Sequence, residues 1–261
     1  MMIFGIIGRP LGHSRSKAWF EEKFAAEGLD DCRFCNFPLE NIDELGGLLE
    51  RHRGELRGFC VTIPYKQAVM TRLDSISPEA RQIGAVNCVS VREDGLHGYN
   101  TDAAGFRAGL EQLLGGARPE RALVLGTGGA SRAVRYVLES AGIEYRMVSR
   151  TAGHDTVGNA PKTLSNDPQP LTYDDLTPAI IDAHRLIINT TPLGTFPAID
   201  GRPDLPYEAI GAGHYLYDLV YNPLLTAFLA EGRQRGAATI GGRTMFETQA
   251  ENNWTIWNRP R

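Results

Sequence analysis

Three groups of residues in this chain have the types and spacing to do chemistry. Leu125-Gly126-Thr127-Gly128-Gly129-Ala130-Ser131 follows an apolar run and precedes a helical pattern. Glycines at such a turn let backbone N–H groups approach a pyrophosphate at a helix N-terminus. The pattern is G-x-G-G-A-S rather than a strict G-x-G-x-x-G, and a tight strand-to-helix turn that binds nothing is the alternative. The next strand ends at Val148-Ser149-Arg150-Thr151. A carboxylate there would hold a ribose 2′-hydroxyl, whereas Arg150 offers a guanidinium fork for a 2′-phosphate, with Ser149 and Thr151 as further donors. Together they predict NADP.

The third group is a set of short polar segments: Gly12-His13-Ser14-Arg15-Ser16, Val61-Thr62-Ile63-Pro64-Tyr65-Lys66, Gly84-Ala85-Val86-Asn87 and Asn100-Thr101-Asp102. Ser14 and Ser16 could present two hydroxyls to a carboxylate, or simply cap a helix. Lys66 could be a solvated lysine, and Asp102 a cap for the helix after it. Cys32 and Cys35 form a C-x-x-C, but the other cysteines, Cys60 and Cys88, lack the spacing of a zinc site. In a strand, positions three apart point to opposite faces. Free thiols in a reducing, cytoplasmic compartment are expected, and no metal.

The elements that must position these residues alternate along the chain. Strands are predicted at Ile3–Gly8, Arg33–Phe37, Gly58–Ile63 and Ala85–Val91, with helices at Ser16–Glu27, Ile42–Arg53 and Lys66–Leu73. A further helix begins near Asp102 and runs to about Leu114, where Gly115-Gly116 and Pro119 end it. Then come strands at Ala122–Leu125, Tyr145–Ser149, Leu186–Asn189 and Tyr215–Asp218, with helices at Ser131–Ser140, Leu224–Arg235 and Thr244–Trp257. Gly153–Pro170 reads as a loop where a helix would be usual. This alternation predicts an α/β protein of mostly parallel sheets in two domains, with the active site in the interdomain cleft.

The chain is 261 residues long with a formal net charge of -4 and no basic block, so nucleic acid is not an expected partner. Met1–Gly5 lacks the cationic start of a signal peptide and the length of a membrane span.

In this order, the segments resemble the shikimate dehydrogenase family over nearly the whole chain. The motifs are G-H-S-R-S at 12–16, V-T-I-P-Y-K at 61–66, G-A-V-N at 84–87, N-T-D at 100–102, G-T-G-G-A-S at 126–131 and S-R-T at 149–151. N-T-T-P-L-G at 189–194, Tyr217-Asp218-Leu219-Val220-Tyr221 and Gln249 complete them. The resemblance implies a substrate domain over 1–101, with the last helix (about 243–261) packing back on it, and a Rossmann-like NADP domain over 102–242. It also implies the NADPH-dependent, reversible reduction of 3-dehydroshikimate to shikimate in aromatic amino-acid (chorismate) biosynthesis.

By the same resemblance, Ser14, Ser16, Thr62 and Tyr221 surround the substrate carboxylate. Lys66, Asn87, Asp102 and Gln249 contact the ring hydroxyls and the reacting oxygen. Gly126, Thr127, Gly128, Gly129, Ala130, Ser149, Arg150 and Thr151 hold the cofactor, with Thr190, Leu219 and Gly242 at its nicotinamide end. Lys66 is then the general acid in reduction, oriented by Asp102. A monomer or homodimer is expected.

The chain departs from the family at three places. Cys60 stands where the family usually has asparagine before V-T-x-P, and a thiol hydrogen-bonds poorly beside an amide. His154, mostly neutral near neutral pH, takes the third cationic position after S-R-T, which predicts a weaker preference for NADP. Arg243 has no evident purpose after Gly242. The rival readings are a quinate/shikimate dehydrogenase of broader specificity and a non-catalytic nucleotide-binding paralogue. A methylene-tetrahydrofolate dehydrogenase fits less well, because the H-S-x-S and N-T-D segments are not expected there.

Overall fold

A computed structural model of the protein describes residues 1–12, 14–151 and 169–258. His13, His154 and all but the last two residues of the loop expected at Gly153–Pro170 lie outside them. The chain divides into two compact units, Met1–Thr101 with Gln249–Arg261, and Asp102–Thr248.

The first unit is built on strands β1 (Met2–Gly8), β2 (Cys32–Pro38), β3 (Leu56–Val61), β4 (Ser75–Ile76), β5 (Cys88–Arg92) and β6 (Gly95–Tyr99). Their order is β2-β1-β3-β5-β6-β4. β1 pairs in parallel with β2 and β3, and β4 with β6, while β5 runs antiparallel to β3 and β6. Along β1 the pleat sends Ile3 and Ile7 into one core with Phe59, Val61 and Val89, and Phe4 and Ile6 into another with Phe20, Phe34 and Trp257. Both faces are therefore buried, which is why β1 reads as a continuous apolar run. Cys32 packs in the second core and Cys35 against the first, so the C-x-x-C faces opposite ways, and both thiols are free.

Helices α1 (Ser16–Glu27), α2 (Leu45–Arg51) and α3 (Pro78–Ile83) accompany this sheet. The helix expected at Ile42–Arg53 splits into a 3₁₀ turn at Ile42–Glu44, capped by the Asn41 side chain on the Asp43 N–H at 2.9 Å, and α2. The helix expected at Lys66–Leu73 is only a 3₁₀ turn at Ala68–Arg72. Lys66 is drawn out of it because its carbonyl accepts the Val86 N–H at 2.7 Å. That same bond keeps Val86 out of β5, which starts at Cys88 rather than Ala85.

The second unit carries β7 (Arg121–Leu125), β8 (Glu144–Ser149), β9 (Leu171–Thr172), β10 (Leu186–Asn189), β11 (Tyr215–Asp218) and β12 (Ala238–Ile240), all parallel, in the order β12-β11-β10-β7-β8-β9. This is the doubly wound Rossmann order, and its direction reverses between β7 and β10. Its helices are α4 (Asp102–Leu114), α5 (Gly129–Ser140), α6 (Pro178–Ala183) and α7 (Ala227–Gln234). α7 begins three residues after the expected Leu224, because Thr226 caps it by accepting the Leu229 N–H at 3.4 Å.

The last helix, α8 (Arg243–Trp257), contributes its residues from Gln249 onward to the first unit. There Trp257 stacks on Phe4 with ring centroids 5.1 Å apart, and its indole N–H donates to the Val89 carbonyl at 2.9 Å. Gly58 makes room for that ring, since a Cβ on it would lie 2.2 Å from the indole.

Candidate active site

In the first unit the polar segments converge through backbone hydrogen bonds. Ser14 and Ser16 meet at the start of α1, with 3.3 Å between their hydroxyl oxygens, and Ser14 Oγ accepts the Ser16 N–H at 3.3 Å. Arg15, not a serine, is the residue before the first helical position. Thr62 is held beside β1, donating its N–H to the Ile7 carbonyl at 3.0 Å. Gly8 faces it, and a Cβ there would sit 2.3 Å from the Thr62 methyl. A turn closed by the Tyr65 N–H on the Thr62 carbonyl then returns Lys66 toward Val86, and Val61 donates its N–H to the Asn87 carbonyl at 2.8 Å. These bonds tie the backbone of residues 61–66 to that of Val86 and Asn87 in one cluster of segments.

Gln249, on α8, joins it. Asn87 is buried, its Oδ1 accepts the Thr101 N–H at 2.7 Å, and its Nδ2 donates to Thr101 Oγ1 at 2.9 Å and to Gln249 Oε1 at 3.5 Å. One member, Asn253, was not evident from the sequence. The Thr101 hydroxyl donates to Asn253 Oδ1 at 2.7 Å, and Asn253 Nδ2 donates to Gln249 Oε1 at 3.1 Å and to Cys60 Sγ at 3.2 Å. Asp102 follows Thr101 directly in the chain. It opens α4 in the second unit and is buried, where the N-terminal end of a helix favours a carboxylate.

The glycine loop of the second unit leaves the end of β7. Gly126 adopts φ +103°, and a Cβ on it would lie 2.9 Å from Thr190 Oγ1 and 2.9 Å from the Thr191 methyl. Only glycine is comfortable with that backbone and that neighbour. Thr190 is fixed in turn, its hydroxyl donating to the Leu125 carbonyl at 2.8 Å. The loop and Thr190 therefore meet at the switch point between β7 and β10. Gly128 precedes α5 with no side chain capping the helix, and nothing lies within 4 Å of where its Cβ would be. Thr127, Gly129 and Ala130 complete this turn, and Ser131 closes it by donating its hydroxyl to the Gly128 carbonyl at 2.6 Å. Such an uncovered N-terminal turn fits a pyrophosphate.

Ser149 ends β8, and its Oγ accepts the Thr151 N–H at 3.4 Å. Arg150 between them is exposed. Its guanidinium stands close enough to Tyr173 to oppose the upward push that burial gives that phenol.

Leu219 and Gly242 also come together. A Cβ at Gly242 would lie 2.1 Å from the Leu219 carbonyl oxygen, and the Gly242 N–H donates to the Val220 carbonyl at 3.0 Å. The Leu219 N–H donates to the Asn189 carbonyl at 3.0 Å, one residue before Thr190. Beneath them is a buried network. Asp218 accepts from Asn189 Nδ2 at 3.0 Å, the Val220 N–H at 3.0 Å and the Thr226 hydroxyl at 2.6 Å. Burial pushes its carboxyl up to about 6 against those three donors. Tyr221 stacks on Phe246 with centroids 4.7 Å apart.

A separate cavity of about 730 Å³ is lined by Leu110, Leu114, Val137 and Ile143 together with Arg107 and Arg118. It lies where β7 and β8 begin, the opposite end from the glycine loop, and none of the candidate catalytic, substrate-binding or cofactor-binding residues lines it. The chemistry is to be sought at the loop, where the glycines and hydroxyls converge.

Residues 6–89 match the family model of the shikimate dehydrogenase substrate binding domain. A curated relative from Moorella thermoacetica, named shikimate dehydrogenase (NADP(+)), is 35% identical over 98% of this chain and 87% of its own length. The chain belongs to the shikimate dehydrogenase family. Among solved structures, a shikimate 5-dehydrogenase from Thermus thermophilus in complex with NADP(H) and shikimate is 34% identical, with a TM-score of 0.80 over 99% of this chain and 94% of that one. A quinate dehydrogenase from Corynebacterium glutamicum in complex with NAD is 28% identical, with a TM-score of 0.85 over 98% of this chain and 93% of that one.

Two of the three departures from the shikimate dehydrogenase pattern find a place in the structure. Cys60 is buried and accepts a hydrogen bond from Asn253. Arg243 is exposed and pairs with Glu247 one turn on, Nε to Oε1 at 2.7 Å, a pairing along the surface of α8. Among the described residues no group of three or more histidine, cysteine, aspartate or glutamate side chains could hold a metal ion.

Proposed function

We infer that this chain is an NADP-dependent shikimate dehydrogenase that interconverts 3-dehydroshikimate and shikimate. The observation that carries the reading is the meeting of Gly126 with Thr190 at the point where a six-stranded parallel sheet reverses its order. There a backbone stripped of side chains faces a fixed hydroxyl, and Arg150 directly follows the neighbouring strand. Gly126 to Ala130 hold the pyrophosphate. Ser149, Arg150 and Thr151 hold the 2′-phosphate. Thr190, Leu219 and Gly242 border the nicotinamide. Bound NADPH would supply the hydride that reaches the ring carbonyl carbon.

The chain's own residues do the rest. Ser14, Ser16 and Thr62 donate hydroxyls to the substrate carboxylate, and Tyr221 adds a phenol. Asn87 and Gln249 hold the ring hydroxyls through amides whose own orientation is fixed by Thr101 and Asn253. Negative charge develops on the carbonyl oxygen in reduction, and Lys66 meets it with an ammonium, passing one proton to it. Asp102 orients that ammonium and accepts a ring hydroxyl proton in a hydrogen bond. In oxidation Lys66, deprotonated, takes the proton back. All four cysteines are reduced thiols, which suits a reducing compartment such as the cytoplasm, and no helix among the described residues is long and apolar enough to cross a membrane.

The likeness to a quinate dehydrogenase, together with Cys60 in the substrate cluster, favours one second reading, an enzyme that also oxidises quinate. A single assay separates the two. Reduced-nicotinamide absorbance is followed with shikimate and with quinate, each with NADP and with NAD. Turnover on shikimate with NADP is expected. No turnover on either substrate with either cofactor would overturn both readings and leave a non-catalytic nucleotide binder.

A further inference from the structure

Resting on the functional reading above, we infer that Asn253 is a positioning residue for the substrate ring, fixing which end of the Gln249 amide faces the ligand. Asn253 is fully buried, so it acts through its neighbours rather than by touching a substrate. It lies four residues beyond Gln249 on α8, a spacing that puts both on one side of the helix. Its Nδ2 donates to Gln249 Oε1 at 3.1 Å, and its Oδ1 accepts the Thr101 hydroxyl at 2.7 Å.

The hydrogen bonds run in one direction. Thr101 gives its hydroxyl proton to Asn253, and Asn253 gives an amide proton to Gln249 Oε1. Asn87 Nδ2 points at the same Gln249 oxygen from 3.5 Å. With Oε1 turned toward these donors, Gln249 carries its Nε2 on the other side as a donor. A donor suits an acceptor on the substrate, a ring hydroxyl oxygen or a carbonyl oxygen, and discriminates against a donor-only group.

Cys60 explains why the task falls to position 253. Its Sγ is 3.2 Å from Asn253 Nδ2, and both side chains are buried. A thiol is a poor hydrogen-bonding partner and orients nothing by itself. The two side chains are buried in contact, so an amide added at 60 would press on the one at 253. An amide at 60 with a small residue at 253 would fill the vacated space from the β3 side.

The test uses the full-length protein and three variants, Asn253→Ala, Cys60→Asn and the double substitution. Shikimate oxidation is measured with the concentration of each substrate varied in turn. Asn253→Ala should raise KM for shikimate about tenfold, the loss of one buried amide hydrogen bond, while KM for NADP holds. Cys60→Asn alone should weaken shikimate binding or folding by crowding. The double variant should recover most of the shikimate affinity lost in Asn253→Ala. A KM for NADP that rises in parallel, or a double variant no better than Asn253→Ala, would overturn the inference.

A second readout is independent of catalysis. In ¹⁵N–¹H spectra the Gln249 side-chain amide should give a dispersed pair of resonances in the parent and collapse toward solvent-averaged positions in Asn253→Ala. If the parent protein fails to oxidise shikimate while this collapse is seen, the functional reading falls and the positioning role stands. If the Gln249 resonances do not respond, the positioning role falls whatever the activity.

Discussion

Asp218 offers a sharp test of the buried network beneath Leu219 and Gly242 in the second unit. Its carboxylate is fully buried, and desolvation pushes its pKa to about 6 despite donors from Thr226, Val220 and Asn189. An unfolded aspartate titrates near 3.9. The folded value is the higher one, so the folded state holds the proton more tightly. Its stabilising contribution is complete below about pH 4 and is lost as pH rises through about 6. Two pH units correspond to about 3 kcal/mol. In Asp218→Asn the side chain cannot ionise, yet it can still accept from Asn189 and Val220 and donate to the Thr226 oxygen. The variant should therefore gain on the parent by about 2–3 kcal/mol between about pH 4 and 7.5. Urea unfolding followed by far-UV circular dichroism reads this as a difference between two proteins, in which all shared titrating groups cancel. A difference that is flat across the window, or one in which the parent gains with rising pH, would refute the reasoning.

Lys66→Ala should lower turnover by about 10²–10⁴ with an unchanged melting temperature, measured by shikimate oxidation and thermal unfolding. Arg150→Ala should raise KM for NADP by about tenfold or more and leave KM for NAD nearly unchanged, since only the 2′-phosphate needs the guanidinium. Tyr217→Phe should stabilise the protein by about 1 kcal/mol. The Tyr217 hydroxyl is buried with no hydrogen-bond partner among the described residues, while the ring stacks on Phe106 at 4.9 Å and would be kept. Differential scanning calorimetry checks it, and a lowered transition would contradict the account. Gly242→Ala should unfold the second unit or abolish NADP binding, because its Cβ would need to occupy space 2.1 Å from the Leu219 oxygen. Thermal unfolding and NADP titration of that variant read the two outcomes.

How much of this was legible in the sequence follows from how local each signal is. The Gly126–Ser131 loop announced itself because a left-handed backbone and an uncapped helix start are requirements of neighbouring residues. α3 carried equally local signals that reading the apolar period alone passes over. Ser77 accepts the Ala80 N–H at 3.2 Å, Pro78 fills the first turn and Gly84 closes the helix at φ 72°. β4 and β9 have two residues each, too few for any period to appear. The mixed pairing of the first sheet, with β5 antiparallel to both neighbours, depends on which strand lies beside which, and periodicity carries no such information.

The amide cluster shows where such reading stops. Asn87, Thr101 and Gln249 each sit in a short recognisable segment, but Asn253 has no motif of its own. It meets Thr101 across 152 positions and Cys60 across 193. Only the docking of α8, through Trp254 and Trp257 on the aromatic core of the first sheet, brings them together. From the sequence, Cys60 is a missing amide and an expected loss of one contact. In the folded chain the space next to that thiol already holds an amide, delivered from the far end of the polypeptide. A substitution read position by position looks like a defect, whereas the physical quantity that matters is the set of donors and acceptors closing on one oxygen of Gln249. That set is kept or broken by the packing of a helix, which is why exchanging residues 60 and 253 together is a more informative perturbation than changing either one.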